Sequence, residues 1–391
     1  MTINAVDFAQ DLIRCQSVTP VEGGALDTLQ SALEGLGFVC TRIPFSEEGT
    51  LDVDNLYARL GTEAPNLCFA GHTDVVPVGS IEGWSHDPFA ADIVDGILYG
   101  RGAVDMKGSI ASFVSAVSRY IADQGSDGIR GSISFLITGD EEGPAINGTV
   151  KMLTWLEEQG EQLDYCLVGE PTNPKVLGEM VKIGRRGSLN TKLVVKGQQG
   201  HVAYPHLSLN PLPYLIKILD QLTQHDIDEG NDYFQPSNLE VVTIDVGNSA
   251  SNVIPYSGEA RFNIRFNSEQ TIDGLKNWIR STCDTVIKDT DIEIDLEMRA
   301  SGDSFITPPG WFSDIIASSI EKVTGQETTL STTGGTSDAR FIKNYCPVAE
   351  FGLISQTMHQ VDECVAVKDI EDLADIYLNI VTDFFNQYQS E

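Results

Sequence analysis

The chain has 391 residues, 25 basic and 57 acidic side chains for a formal net charge of −32, and 41% apolar residues. The length is about two and a half times a soft prior of ~150 residues per domain, so two domains are expected, each able to bury a core. The charge disfavours the polyanions, nucleic acid and anionic membrane, as partners; no run approaches the roughly 20 apolar residues of a membrane span, and no signal peptide is read in residues 1–7, so a cytoplasmic enzyme is expected.

In chain order, residues 5–15 and 26–36 carry helical patterns, the second stopping near Gly35 and Gly37. Residues 66–70 form a short apolar run ahead of Gly71, the mark of a buried strand. A helix rich in Ala and Ser follows over 107–122, then an apolar strand over 132–138, a helix over 149–158 and a strand over 165–168. This alternation predicts an α/β class: a mostly parallel sheet covered by helices. The rhythm changes near Val181. Strand 189–195, helix 210–223, strands 239–246 and 259–266, helix 272–286 and strand 292–298 follow in β-α-β-β-α-β order, the ferredoxin-like pattern of an α+β unit. From about Ser301 the α/β style resumes, with a helix over 311–323, a strand over 348–353 and a helix over 369–388. The expected organisation is a catalytic domain in two parts, 1–180 and 299–391, interrupted by an inserted domain over 181–298.

The seven cysteines are odd in number, scattered, and without a Cys-x-x-Cys pair. That argues against a disulfide framework and against a thiolate zinc site. Cys68 and Cys166 sit in apolar runs and read as buried, reduced small hydrophobes. Most of the carboxylates must form a solvated acidic surface, which is consistent with a salty setting where ions screen self-repulsion.

The chemistry gathers at strand ends. The first apolar run ends in Gly71-His72-Thr73-Asp74, and a glycine-rich turn leads to Asp105 at the start of a helix. The next strands end in Asp140-Glu141-Glu142-Gly143 and Gly169-Glu170-Pro171, and the last leads to Met358-His359-Gln360. In an open α/β sheet, ligands bind outside the carboxyl ends of the strands, so these residues are expected to converge. His with several carboxylates is an N/O set that suits zinc, manganese or cobalt. A paired-metal site of this kind activates a water and polarises a carbonyl. It needs a bridging carboxylate, terminal ligands and a base that is not a ligand; the neighbours Glu141 and Glu142 offer one residue for each of the last two tasks. Each residue also has a plainer reading. Asp105 could cap its helix, the Glu141-Glu142 pair could be a solvated charge run, and His72, Glu170 and His359 could be ordinary loop residues.

Taken together, these segments resemble the di-zinc aminoacylase and carboxypeptidase family, which includes acetylornithine deacetylase, over nearly the whole chain and its insert. The resemblance implies His72, Asp105, Glu142, Glu170 and His359 as metal ligands, with Asp105 bridging. It implies Glu141 as general base and Asp74 as the carboxylate that orients His72. It implies two Zn2+ per subunit, replaceable by Co2+ or Mn2+, and a homodimer formed through the inserted domain. His201 in Gly-His-Val-Ala-Tyr-Pro and Asn252 in Ser-Asn-Val-Ile-Pro match insert residues that reach the active site, the His from the other subunit. Arg185, Arg265, Gly335 and Thr336 match substrate contacts, although the arginines could simply pair with surface acids and Asn252 could only shape a turn. The Ser331–Phe341 segment departs from the family pattern in having Ala339 where glycine is usual. Finer motifs, among them residues 184–189 and 301–307, point to a branch that releases succinate from an N-succinyl diamino diacid.

Three other functions compete: deacylation of acetylornithine or another acyl amino acid, aminopeptidase or dipeptidase activity, and a non-catalytic acidic metal- or partner-binding protein. Serine hydrolase chemistry is disfavoured by the lack of a Gly-x-Ser-x-Gly elbow, and nucleotide hydrolysis by the lack of a P-loop.

Overall fold

Residues 2–125 and 129–388 are described by the computed structural model of the protein. They fall into two compact units. One comprises Met1–Ile183, Thr307–Ser331 and Ser337–Glu391, and the other Gly184–Ile306 with Thr332–Thr336.

The first unit is built on an eight-stranded sheet. At its centre four neighbouring strands run parallel: Ser132–Thr138, Asn66–His72, Tyr165–Val168 and Val348–Glu350. Strands Leu56–Leu60 and Val39–Arg42 extend one edge antiparallel, and Met180–Lys182 and Thr329–Ser331 extend the other. The central strands are apolar on both faces because helices cover both, as a parallel sheet requires. Helix Lys107–Gln124 is buried along its first three turns, from Lys107 to Ser118. Its Gly, Ser and Ala residues permit close approach, and Ser112 Oγ donates to the Ile370 carbonyl of helix Val367–Gln387 at 3.0 Å. Behind the sheet's centre, Phe69 stacks on Phe113 at 4.3 Å, and Phe135 and Tyr377 meet both edge-on or tilted. The Tyr377 hydroxyl, itself fully buried, donates to the Phe351 carbonyl. This packing makes the central strands a rigid base for the loops at their carboxyl ends.

The second unit is a four-stranded antiparallel sheet in the order Asn238–Asp245, Ser257–Phe266, Gly187–Lys196, Glu293–Gly302. Helices Leu212–Thr223 and Ile272–Ile287 pack on one face around Leu193, Leu215, Phe262 and Ile279. The element order is β-α-β-β-α-β, the pattern expected from the sequence.

Two boundaries differ from the sequence reading. The division between the units falls at Gly184 rather than 181 because Met180–Lys182 pairs with Thr329–Ser331 in the large sheet. It falls after Ile306 rather than 298 because the last strand of the small sheet continues to Gly302 and Phe305–Ile306 pairs with Gly184–Arg185. Among the described residues no helix is long and apolar enough to cross a membrane.

Candidate metal centre

Each central parallel strand delivers one part of the site from its carboxyl end. His72 is the last residue of its strand, Glu141 and Glu142 follow Thr138, Glu170 follows Val168, and His359 follows the loop after Glu350. Asp105 lies one residue before the N-cap, Met106, of helix Lys107–Gln124, whose positive N-terminal end favours a carboxylate there. Two glycines make the approach possible. Gly102 adopts φ +85°, and a Cβ on Gly352 would lie 2.4 and 2.5 Å from the carbonyl oxygens of Gly169 and Glu170.

The Asp105 carboxylate divides between two neighbours. Its Oδ1 lies 3.1 Å from His72 Nε2, which is 3.7 Å from Glu170 Oε1. Its Oδ2 lies 3.2 Å from His359 Nε2, which is 2.7 Å from Glu142 Oε1. Two donor groups, each a histidine and a carboxylate, thus share one aspartate. Donor atoms of His72, Glu141 and Glu170 lie within 4.8 Å of one another, as do those of His72, Asp105 and Glu142.

The electrostatics call for added positive charge. Burial and the charge of Asp105 push Glu170 well above the usual carboxylate range. Burial, Asp338, Glu142 and Asp105 push Glu141 up to about 8. Burial works against a charged His72, yet Asp105, Glu170 and Asp74 carry it well above an ordinary imidazole; hydrogen bonds to Asp105 and Glu142 raise His359 to about 10. Asp105 is buried, yet the two histidines hold it below the usual range. Like charges crowded at low dielectric are destabilising unless paired. Divalent cations held among these groups would supply that pairing. The donor set of imidazole nitrogen and carboxylate oxygen therefore fits such cations.

Asp74 meets His72 through both its main chain and its carboxylate. The short contact of His72 Nδ1 is with the Asp74 main-chain carbonyl, at 2.8 Å, and the carboxylate is 3.6 Å away. The carboxylate also accepts the amides of Glu141 and Glu142, at 3.3 and 3.1 Å. Two residues beyond His72, its side chain meets the neighbouring strand end, while its carbonyl takes the ring N–H. A proton on Nδ1 leaves the Nε2 lone pair for a ligand, so Asp74 still serves both His72 and the acids.

The remaining sequence candidates lie in the second unit. His201 is exposed, and its Nδ1 accepts the Ala203 amide at 3.0 Å, which places the proton of the neutral ring on Nε2. The Asn252 carbonyl accepts the Val202 amide, tying that loop to the His201 segment. Arg185 Nη1 donates to the Gly335 carbonyl at 3.0 Å, and Thr336 follows in the same stretch. Arg265 pairs in register with Ser188. Burial and the nearby Arg265 depress Arg186, whose Nε is buried without a partner among the described residues.

Three residues escaped the sequence reading. Asp338 is buried, and its charge is the largest electrostatic influence on Glu141 after burial. Glu363 and Arg101 form a buried ion pair beside Asp105. Glu363 lies four residues beyond His359 and Arg101 four before Asp105, so both stand in the stretches the sequence singles out.

Fold and site together define a metal-dependent hydrolase. The chain belongs to peptidase family M20/M25/M40, whose family model matches residues 68–383. It is 57% identical to a succinyl-diaminopimelate desuccinylase of Parvibaculum lavamentivorans, over 97% of this chain and 95% of that one. It is 55% identical to one of Rhodospirillum centenum over 98% of each chain. Among solved structures, a tripeptidase from Staphylococcus aureus shares the fold at TM-score 0.80 and 18% identity, over 99% of this chain and all of that one. A dinuclear metal-binding M20 peptidase of Bacillus subtilis does so at TM-score 0.72 and 12% identity, over 98% of each chain.

Proposed function

We propose that this enzyme hydrolyses N-succinyl-LL-2,6-diaminopimelate to succinate and LL-2,6-diaminopimelate, a step of lysine and diaminopimelate biosynthesis. The observation that carries the reading is the full-length identity of 55–57% to desuccinylases of that name. The metal ligands are His72, Asp105, Glu142, Glu170 and His359, and two Zn2+ per subunit are the proposed cofactors, with Co2+ or Mn2+ as substitutes. When bound, such ions polarise the amide carbonyl and make water a stronger acid.

The chain's own residues do the rest. Glu141 is the base: half-buried, beside the donor atoms and raised towards neutrality, it accepts a proton from the attacking water and returns it to the departing amine. Asp105 fixes both histidines, and Asp74 holds the Glu141 and Glu142 backbone. A forked guanidinium suits a carboxylate, and the Arg186–Arg265 proximity, with a buried unpaired N–H, supports these strand ends and Arg185 as the site for the substrate's carboxylates. Asn252, Gly335 and Thr336 complete the proposed substrate contacts. The active form is a homodimer in the cytoplasm. Edge strand Asn238–Asp245, with Val242 72% exposed, offers a surface for a second copy. The partner subunit's His201 would then donate from Nε2 to the developing oxyanion.

The deciding experiment assays metal-free protein, titrated with zinc, on succinyl-diaminopimelate, acetylornithine and a dipeptide panel. The reading requires zinc-dependent turnover with strong preference for the succinylated substrate. Preference for acetylornithine or for peptides would replace it.

A further inference from the structure

The Arg101–Glu363 pair has no part in the chemistry above, yet it is almost wholly buried. Glu363 is 0% exposed and Arg101 2%. Glu363 Oε2 accepts from Arg101 Nη1 at 2.7 Å. Its other oxygen accepts two consecutive backbone amides, Val104 at 2.9 Å and Asp105 at 3.2 Å. Its own carbonyl accepts the Gly100 amide at 2.9 Å. One residue thus grips the 100–105 turn at four points. Arg101 is held from its other side by the Trp84 ring, 5.2 Å from the guanidinium carbon.

The loop on which Glu363 sits is strained. His359 and Asp362 both adopt left-handed backbone, at φ 62° and 60°, where side chains with a Cβ are disfavoured. Such conformations persist only where the surroundings over-determine them. Asp362 is anchored by accepting the Ser85 amide at 2.7 Å. Glu363 supplies the anchor that matters for the site, because its partners are the backbone of Asp105, the aspartate that both histidines address.

We infer that Glu363, neutralised by Arg101, is a positioning residue that locks the Asp105 turn to the His359 loop and so sets the spacing of the second donor group, His359, Asp105 and Glu142. The inference rests on the proposed metal-centre reading and extends it to residues that touch neither substrate nor metal. A carboxylate is required because both of its oxygens accept. In Glu363→Gln, one orientation of the amide points its NH2 at Arg101 Nη1, and the other points it at the Val104 and Asp105 N–H groups. Either way a donor faces a donor in a dry pocket.

The test measures Co2+ alone against the full-length metal-free protein, by affinity and by visible absorption, in wild type, Glu363→Gln, Arg101→Lys and Leu33→Ala. Leu33 is buried in helix Ala25–Gly35, away from the site, and controls for loss of stability as such. Glu363→Gln should bind Co2+ about 10–100-fold more weakly at one of two sites, as loss of groups that hold ligands typically causes, with an altered spectrum. Arg101→Lys should move both readouts in the same direction and serves in place of Glu363→Gln if that variant does not fold. Leu33→Ala should melt earlier with wild-type affinity and spectrum. Wild-type affinity and spectrum in whichever of the two site variants folds would overturn the inference, and so would an equal loss of affinity in Leu33→Ala. Failure of wild type itself to bind Co2+ would instead overturn the metal-centre reading, and this inference with it.

Discussion

Glu141 and Glu142 are adjacent in sequence and share one anchoring carboxylate, yet their loss should have opposite consequences. Glu142 Oε1 lies 2.7 Å from His359 Nε2 and belongs to a donor group. Glu141 makes no hydrogen bond to either histidine among the described residues, while its carboxyl lies within 4.8 Å of the His72 and Glu170 donor atoms. On the proposed reading it reaches the attacking water, although its carboxyl is also near enough to those donor atoms to serve as a ligand. Glu141→Gln keeps the shape and removes the basicity. General base catalysis contributes about 10²–10⁴-fold, so kcat on succinyl-diaminopimelate should fall by that factor, about 3–5 kcal/mol in barrier. Metal content by elemental analysis and the melting temperature of the loaded protein should stay near wild type. Glu142→Gln should lose metal at one centre. A Glu141→Gln enzyme with retained turnover refutes the base assignment, and one that loses a metal ion as Glu142→Gln does makes Glu141 a ligand instead.

Chelation should lower the melting temperature, because the crowded acids lose their counter-charge; restoring zinc at a hundredfold excess over Kd should return about 2.7 kcal/mol per ion, and an unchanged melting curve would argue against a metal site. His201→Ala should leave folding and dimerisation intact, since the ring is exposed, while kcat drops about 10²–10³-fold as for loss of one oxyanion donor; normal kinetics would remove that role. Added NaCl should raise the melting temperature, because screening within a Debye length of about 10 Å at 0.1 M relieves the repulsion of a −32 chain; a flat or falling response would mean that the acids are already paired or bound.

The sequence was most readable where one physical signal dominates. Strands Ser132–Thr138 and Tyr165–Val168 fall where their apolar runs predicted, because central parallel strands are buried on both faces. The edge strands were not read. Val39–Arg42 is mostly exposed or half-buried, and Met180–Lys182 and Thr329–Ser331 are three residues each. Their strand character comes from the neighbour they pair with, which no local pattern carries. The predicted strand over 348–353 stops at Glu350, where the ladder ends although the residues remain buried. The site shows the same division. Its donors were visible as acids and histidines at strand ends, and the structure gathers all five. The division of Asp105 between two histidines, the carbonyl that holds His72, and the Glu363 clamp depend on backbone geometry between segments far apart in the chain.

The acidity of the chain bears on how its two units divide the work. The site of the first unit gathers five carboxylates, Asp105, Glu170 and Asp338 buried and Glu141 and Glu142 half-buried, around two imidazoles. Alone, that arrangement would repel a substrate carrying several carboxylates, and the net charge of the whole chain adds to the repulsion. Divalent ions bound there would reverse the sign locally, but their chemistry would serve the carbonyl to be cleaved and not the distant carboxylates. The counter-charge for those must come from elsewhere in a chain with only 25 basic residues. Arg185, Arg186 and Arg265 lie at neighbouring strand ends of the second unit, and Arg265 is close enough to disfavour the charge of Arg186. Such crowding is unfavourable in an empty protein and becomes favourable when an anion sits between the arginines. We propose on this ground that the second unit carries selection of the acyl substrate, while the first carries hydrolysis. On that proposal, exchanging substrates within this architecture would require changes at those arginines and none among the proposed metal ligands.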